Sequence, residues 1–182
     1  STDSNAGINL GVGISGKNVN LNGSSINGNG IYSAQGVTAG TGGDVNILGI
    51  STGAGASSTA LSLWGAIGAG RNILIHGKNT AVGNANVATF LNNSVTSGAG
   101  VIEVLAEHAG TGLGLQLAAA SALNTTNNAI TLTTDSLFNN ATGVNAGTGT
   151  VTVQNKTAGV LVDLGATSDT LGVLSVSATE LG

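Results

Sequence analysis

The chain has 182 residues, of which 7% are charged, 2% are aromatic and 41% are hydrophobic, and its net charge is −4. This composition excludes a chain that is disordered through charge, because such chains combine low hydrophobicity with high charge. Four basic residues are also too few for a nucleic-acid-binding track, and the absence of Cys excludes disulfides and thiolate metal sites.

Proline is absent as well, while glycine occurs 31 times. Strands inside a sheet need every backbone N–H for the hydrogen-bond ladder, so a chain without Pro suits a fold in which most strands are internal. No run approaches the ~20 apolar residues of a membrane span, and we expect no membrane insertion. Residue 1 is not Met, and no basic start precedes an apolar stretch, which predicts a processed or excised segment.

The first elements along the chain are a strand and a turn region. Apolar residues alternate from Ile8 to Ile14 and predict an opening strand or cap at residues 1–15. Residues 22–30 then contain three Asn-Gly dipeptides, which are turn signals.

Seven apolar pairs with i, i+2 spacing recur from this point onward. They are Val19/Leu21, Val45/Ile47, Ile73/Ile75, Ile102/Val104, Ile130/Leu132, Val151/Val153 and Leu174/Val176. Their first members are separated by 26, 28, 29, 28, 21 and 23 residues, and a recurrence in this range indicates a solenoid. Spacing within each pair follows the strand period. The pairs predict an all-β parallel β-helix (β-solenoid) of about seven coils, a single array over residues 1–182 with every pair facing one interior.

Finer features support this array. The first three pairs are each followed by one variable residue and then by Gly23, Gly49 or Gly77, which predicts a corner repeated at one place on the coil. Because the step between pairs shortens after Ile130, we expect smaller coils after about residue 130.

Further strands are predicted between the pairs, at Leu61/Leu63, Leu113/Leu115/Leu117 and Val160/Val162/Leu164. Residues 115–123 have helix-forming composition, but the surrounding period of two favours a strand there.

Five short segments in the last third of the chain combine Thr or Asp with small and apolar residues. They lie at residues 148–154, 156–159, 162–165, 169–172 and 179–181. These segments resemble the repeat region of filamentous-haemagglutinin-type adhesins, large bacterial exoproteins exported by two-partner secretion. The resemblance in sequence covers residues 128–182. The rest of the chain is similar only in its composition and in the spacing of its repeats. It implies a right-handed β-helix that forms an extracellular rod. The Asn-Pro motifs of that family's secretion domain are absent, so the export route follows from the resemblance alone.

Few residues are candidates for chemistry. His76 lies between Ile75 and Gly77, and strand alternation predicts that it is a solvated outer residue. Glu103, Glu107 and His108 form the only acidic cluster with a nearby His, and Asp135, the next acid downstream, is not expected to join it. Glu103 and Glu107 lie on one coil with His76 about one coil earlier, which is the closest approach to a metal site, and alternation places Glu103 on the same outer surface as His76. We therefore predict no catalytic, cofactor-binding or metal-binding residues, and no cofactor.

Two other motifs are weak. Residues 40–44 (Gly-Thr-Gly-Gly-Asp) are similar to the calcium-binding nonapeptide of β-rolls, but the motif occurs once and calcium needs six or more oxygens. Glycosylation sequons begin at Asn22, Asn92, Asn124, Asn140 and Asn155. A chain this rich in Asn, Ser and Thr contains such matches by chance, so glycosylation stays an open alternative.

Three classes of function remain. The leading one is a non-enzymatic structural and adhesive rod segment of a secreted bacterial surface protein, extracellular or at the cell surface, with a receptor or glycan of a host or neighbouring cell as partner. The second is a self-assembling extracellular filament or matrix subunit, because sparse charge opposes end-to-end association only weakly. The third is a β-helical carbohydrate-active protein. Aromatic platforms for sugars would support it, but Tyr32, Trp64, Phe90 and Phe138 are scattered singly along the sequence.

Overall fold

The computed structural model describes residues 6–53, 58–81, 86–110, 112–166 and 173–177. All regular secondary structure in these ranges is β-strand, in twenty strands numbered β1 to β20 along the chain. Eighteen of them form three parallel sheets of six strands, which we call sheets A, B and C, and the last two form sheet D. Among the described residues there is no helix with the length and hydrophobicity needed to span a membrane.

Each sheet collects every third strand of the chain. Sheet A contains β1 (Ile8–Leu10), β4 (Ile31–Ser33), β7 (Leu61–Leu63), β10 (Thr89–Leu91), β13 (Leu115–Leu117) and β16 (Leu137–Asn139). Sheet B contains β2 (Ile14–Gly16), β5 (Val37–Ala39), β8 (Ile67–Ala69), β11 (Ser94–Ser97), β14 (Ala122–Thr125) and β17 (Gly143–Asn145). Sheet C contains β3 (Val19–Ser25), β6 (Val45–Ser51), β9 (Ile73–Asn79), β12 (Ile102–His108), β15 (Ile130–Thr134) and β18 (Val151–Gln154). Sheet D pairs β19 (Val162–Ala166) with β20 (Leu174–Ser177).

The chain visits sheets A, B and C in turn and then begins the next coil. Neighbouring strands within a sheet are therefore equivalent parts of successive coils, and all of them pair in parallel. This is a parallel β-helix with six complete coils followed by sheet D, which confirms the fold class predicted from the pairs.

Six of the seven apolar pairs stack in register in sheet C. Their first members follow one another in the order Val19, Val45, Ile73, Ile102, Ile130 and Val151. The pairs of β6, β9, β12 and β15 are at most 1% exposed. Fully buried side chains also come from the other sheets, for example Leu61 in sheet A and Val95 in sheet B. Burial of each such side chain stabilises the stack by about 1.5–3 kcal/mol.

The expectation that all seven pairs face one interior is wrong at the carboxyl end. Val151 and Val153 are 42% and 37% exposed, because β18 is the last strand of sheet C in the described part of the chain and pairs there only with β15 of the preceding coil. Leu174 and Val176 are buried, but they belong to β20 and pair with β19 in sheet D rather than with β18.

A column of glycines marks the repeated corner. Gly23, Gly49 and Gly77 are in register in the long strands of sheet C, and all three are buried. A Cβ atom on Gly49 would lie 2.3 Å from the carbonyl oxygen of Ala60 and 2.3 Å from Cδ2 of Leu61. The close approach of sheet A therefore requires glycine here, and the predicted corner is confirmed.

The connections explain the change in coil size. The segment between sheet C and the following strand of sheet A spans residues 109–114 after β12 but only residues 135–136 after β15. The described connection after β15 is thus the shorter one, while smaller coils throughout the region after about residue 130 stay a prediction.

The other predicted elements have mixed outcomes. Residues 115–123 contain β13 and the start of β14, so the strand interpretation is confirmed over the helix, and β7 is the predicted strand at Leu61/Leu63. Leu113 and Val160 precede their strands rather than joining them. The prediction of a turn at the first Asn-Gly dipeptide is wrong, because β3 continues through Asn22 and Gly23. The opening region contains β1 and the start of β2, and its residues 1–5 lie outside the described residues, as do 169–172 and 179–181.

Replacement of a corner glycine tests this packing. We expect Gly49→Ala to lower the free energy of unfolding by about 1–3 kcal/mol, because the new methyl group overlaps the Ala60 carbonyl and the Leu61 side chain. That corresponds to a decrease of roughly 2–12 °C in Tm for a chain of this size.

The matched control is Gly68→Ala in sheet B, where the nearest atom to the new Cβ is Thr38 Cγ2 at 3.8 Å. This variant should melt at or slightly above the wild-type temperature, because alanine restricts the unfolded chain more than glycine does. The thermal unfolding of both variants is measured by circular dichroism. Equal decreases in Tm for Gly49→Ala and Gly68→Ala would contradict the close approach of sheet A at the corner.

Candidate functional site

Charge is concentrated along one side of the β-helix. Within the six described coils, the charged residues lie in the strands of sheet C or in the turns that enter and leave it: Lys17, Asp44, Arg71, Lys78, Glu103, Glu107, Asp135 and Lys156. The described strands of sheets A and B contain no Lys, Arg, Asp, Glu or His. Within these six coils, any chemistry that needs a charged side chain must therefore occur along sheet C.

The first group of contacts joins the turns that precede sheet C. Arg71 donates from Nε to Asp44 Oδ1 at 2.8 Å and from its second terminal nitrogen to Oδ2 at 2.5 Å. The backbone N–H of Asn72 also donates to Oδ1, at 3.0 Å. These hydrogen bonds, that of Arg71 first, hold the pKa of Asp44 well below its usual value and raise the pKa of Arg71. Asn18 accepts from the N–H of Asp44, and Asn72 accepts from that of Val101, so the same tie is repeated from coil to coil.

This geometry bears on the calcium-like segment at residues 40–44. Asp44 supplies its only carboxylate, and that carboxylate binds Arg71 and Asn72. The contacts serve to connect coils, and among the described residues Asp44 belongs to no group of three His, Cys, Asp or Glu side chains that could hold a metal ion.

The second group contains His76, Glu107 and Lys156. His76 Nε2 lies 2.6 Å from Glu107 Oε1, and Lys156 Nζ lies 2.8 Å from Glu107 Oε2. Burial acts to raise the pKa of Glu107, but the hydrogen bonds from Lys156 and His76 outweigh it, and the pKa is lowered. The same contact raises the pKa of Lys156. Glu107 is therefore a carboxylate held between two donors from different coils.

His76 is on the outer face of the sheet, as predicted, but it is not simply solvated. Its side chain is 29% exposed and bonded to Glu107. Of the two carboxylates predicted nearest to it, Glu103 and Glu107, only Glu107 contacts it, because the register places Glu103 beside Leu74 and His76 beside Leu105. Glu107 reaches His76 diagonally across the pair of strands.

His108 and Asp135 occupy the edges of this group. His108 Nδ1 accepts the N–H of Gly110 at 3.0 Å, and burial lowers the pKa of the ring, opposed by backbone groups of Gly110 and Asn86. Asp135 accepts the N–H groups of Lys156 at 2.9 Å and Thr157 at 2.7 Å. Asp135 thus positions the segment that carries Lys156, and Lys156 in turn contacts Glu107. This link from Asp135 to Glu107 through Lys156 could not be predicted from the sequence.

Two shallow concavities open on this side. The smaller, of about 180 Å³, is lined by Lys78, Asn79, Thr80, Glu107, His108, Ala109 and Lys156. The larger, of about 310 Å³, is lined by Asn20, Leu21, Asn22, Asn46, Ile47, Leu48, Leu74 and His76. Across the described residues, no three His, Cys, Asp or Glu side chains are close enough to hold a metal ion. The absence of catalytic, cofactor and metal residues stays a prediction.

The aromatic residues give a different result from the one expected. Tyr32, Phe90 and Phe138 occupy the same outward position in β4, β10 and β16 of sheet A, with Ser62 and Gln116 between them. The ring of Trp64 lies against Phe90, with centroids 5.2 Å apart and planes inclined at 52°. All four aromatic residues of the chain therefore lie on one face, and the interpretation that they are scattered is wrong in three dimensions.

Comparisons of the chain with protein-family models, with curated proteins and with solved structures find no match.

The Glu107 contacts predict a pH-dependent contribution to stability. Because the pKa of Glu107 is lowered by folding, its contribution is present above the ordinary value of 4.5 and is lost as the pH falls below it. We expect Glu107→Gln to reduce stability at pH 7 by about 0.5–1 kcal/mol, the range for partly exposed ion pairs, and the difference from wild type to shrink towards pH 3.

Glu103→Gln on the same strand is the control, since Glu103 is exposed and lies beside Leu74. Its melting temperature should follow the wild type at every pH. A loss in Glu103→Gln equal to that in Glu107→Gln, or a difference that grows on acidification, would contradict the assignment of the ion pair.

Proposed function

We propose that this chain is a non-enzymatic structural and adhesive rod segment of a secreted bacterial surface protein. A parallel stack of six coils at ~4.8 Å spacing forms a rod body roughly 25–30 Å long. Such a shape extends a protein in one direction while each coil contacts only its neighbours.

One observation carries the proposal: the charged side chains connect coils. Arg71 binds Asp44 of the preceding coil, and Glu107 binds His76 of the preceding coil and Lys156 beyond β18. Asp135 likewise accepts from the segment one coil later. Catalytic carboxylates converge on a substrate position, whereas these carboxylates are used between coils. This arrangement supports a structural role for the charged residues rather than a catalytic one.

The extracellular location follows from the resemblance to filamentous-haemagglutinin-type repeats, and so does the adhesive role. In this proposal the partner is a receptor or glycan on a host or neighbouring cell.

A self-assembling filament is the second candidate, and the exposed apolar residues at the carboxyl end favour it. Val151, Val153, Leu161, Val162 and Leu164 are between 37% and 72% exposed. β18 is also an edge strand of sheet C within the described residues. An uncovered strand edge with apolar side chains promotes end-to-end association.

Electron microscopy and small-angle scattering over rising concentration distinguish these functions. A rod segment should give single particles whose dimensions do not change with concentration. A filament subunit should give lengths that increase in whole multiples, and Val153→Lys should stop that growth by placing a charge at the exposed end. Thr96→Lys, at mid-length on the outer face of sheet B, is the control and should leave assembly unchanged. Irregular aggregates that grow with concentration, but not in whole multiples of one length, would contradict both functions.

A further inference from the structure

We propose that the outer face of sheet A is a binding track for a neutral glycan chain that lies along the axis of the β-helix. This inference rests on the adhesive part of the proposed function and names its ligand class. We call the surface the aromatic track and define it as Asn9, Tyr32, Ser62, Trp64, Phe90, Gln116 and Phe138.

The register aligns the track. The central residue of each strand in sheet A points outward because the residues on either side of it are turned to the core, as with Tyr32 between the buried Ile31 and Ser33. In the outward positions, aromatic rings alternate with Ser62 and Gln116 from β4 to β16. Since coils repeat every ~4.8 Å, Tyr32, Phe90 and Phe138 recur at roughly 10 Å.

Trp64 is fixed in a position suited to stacking. It is 45% exposed, its ring contacts Phe90, and its Nε1 donates to Ser62 Oγ at 3.0 Å. An exposed Trp that is held by a hydrogen bond and by a neighbouring ring loses little freedom when a ligand stacks on it. The ring is thereby prepared to receive an apolar surface of a ligand.

Charge excludes the polyanionic ligands. No charged side chain lies in the strands of sheet A, all of which are described. Single-stranded nucleic acids need a positively charged groove beside their stacking aromatics, and acidic polysaccharides carry a comparable charge. A surface of aromatic rings and neutral polar side chains is therefore suited to an uncharged ligand chain.

The area of the track excludes a folded partner. Six three-residue strands present roughly 300 Å², whereas a stable protein interface buries about 800 Å² on each partner. A second copy of this chain therefore does not fit the track by itself. A slender chain ligand does.

The chemistry of the polar positions favours a glycan over a proline-rich peptide. Peptides of that type dock in aromatic-lined grooves and present mainly carbonyl acceptors. On this track the indole N–H of Trp64 is already donated to Ser62. Sugar hydroxyls both donate and accept, as do the side-chain amide of Gln116 and the hydroxyl of Ser62. In a linear pyranose chain, alternate sugar rings could then stack on Tyr32, Phe90 and Phe138.

The single Trp of the chain makes the test specific, because its fluorescence reports this face alone. The full chain is titrated with neutral hexasaccharides of β-1,4-linked glucose, β-1,4-linked N-acetylglucosamine and α-1,4-linked glucose. Decaproline, a heparin hexasaccharide and a dT oligonucleotide are the competing classes. We expect a saturable change with at least one neutral hexasaccharide, weakened about 3- to 10-fold by Tyr32→Ala and by Phe90→Ala.

Leu74→Ala is the matched control, because Leu74 is an exposed apolar residue on the outer face of sheet C. It should bind like the wild type, and Tyr32→Phe, which keeps the ring, should do so too. Melting curves identify any variant that fails to fold. In that case binding is tested by NMR on the wild type. A shift of the Trp64 indole N–H signal on addition of the neutral hexasaccharide would show that the glycan binds at the aromatic track.

The inference is overturned if no neutral hexasaccharide binds, or if folded Tyr32→Ala and Phe90→Ala variants bind unchanged. Stronger binding of decaproline, heparin or the oligonucleotide would overturn it as well. Single particles of constant dimensions without glycan binding would leave the rod segment in place and remove only the track. Irregular aggregates that grow with concentration would instead contradict the proposed function itself.

Discussion

The hydrogen-bond register between successive coils is the constraint on which this molecule depends. A coil of three short strands cannot bury its own apolar side, so each coil is stable only when the next one covers it. The backbone N–H of Ile73, for example, donates to the carbonyl of Val101 at 2.9 Å, and the side chains of Ile73 and Ile102 then stack in the core. A slip of one residue would turn every inward side chain to solvent. Glycine at the Gly49 corner and the Asp44 tie to the next coil both act to hold this register.

Once the register is fixed, the three outer faces acquire different properties. Sheet C collects the charged side chains, which bind one another between coils, as in the pair Glu107 and His76. Sheet B presents mainly small polar residues such as Thr38 and Thr96. Sheet A presents the aromatic residues. The ion pairs and the exposed aromatic rings therefore lie on different sides of the same β-helix, and a change on one face should leave the other intact.

The fold was predictable because the pairs Val45/Ile47 and Ile73/Ile75 repeat at nearly constant steps and alternate with the strand period. The aromatic track was not, because the alignment of Tyr32 with Phe90 depends on turn lengths that differ between coils. The sequence brought Glu103 and Glu107 near His76 but did not show which of them makes the contact, since alternation gives the face of a residue but not its diagonal neighbour. The exposure of Val151 could not be foreseen either, because a periodic pattern does not show which coil is the last to be covered.

Disulfide trapping measures the register most directly, since the chain has no Cys of its own. Leu74 and Glu103 are direct neighbours on the outer face of sheet C, so their Cα atoms should be separated by ~4.8 Å, within the range that a disulfide spans. Leu74 and Leu105 are displaced by two residues and should lie roughly 8 Å apart, beyond that range. Under mild oxidation, the Leu74→Cys/Glu103→Cys variant should cross-link rapidly, while Leu74→Cys/Leu105→Cys should stay reduced. Preferential cross-linking of the second variant would contradict the in-register parallel stack.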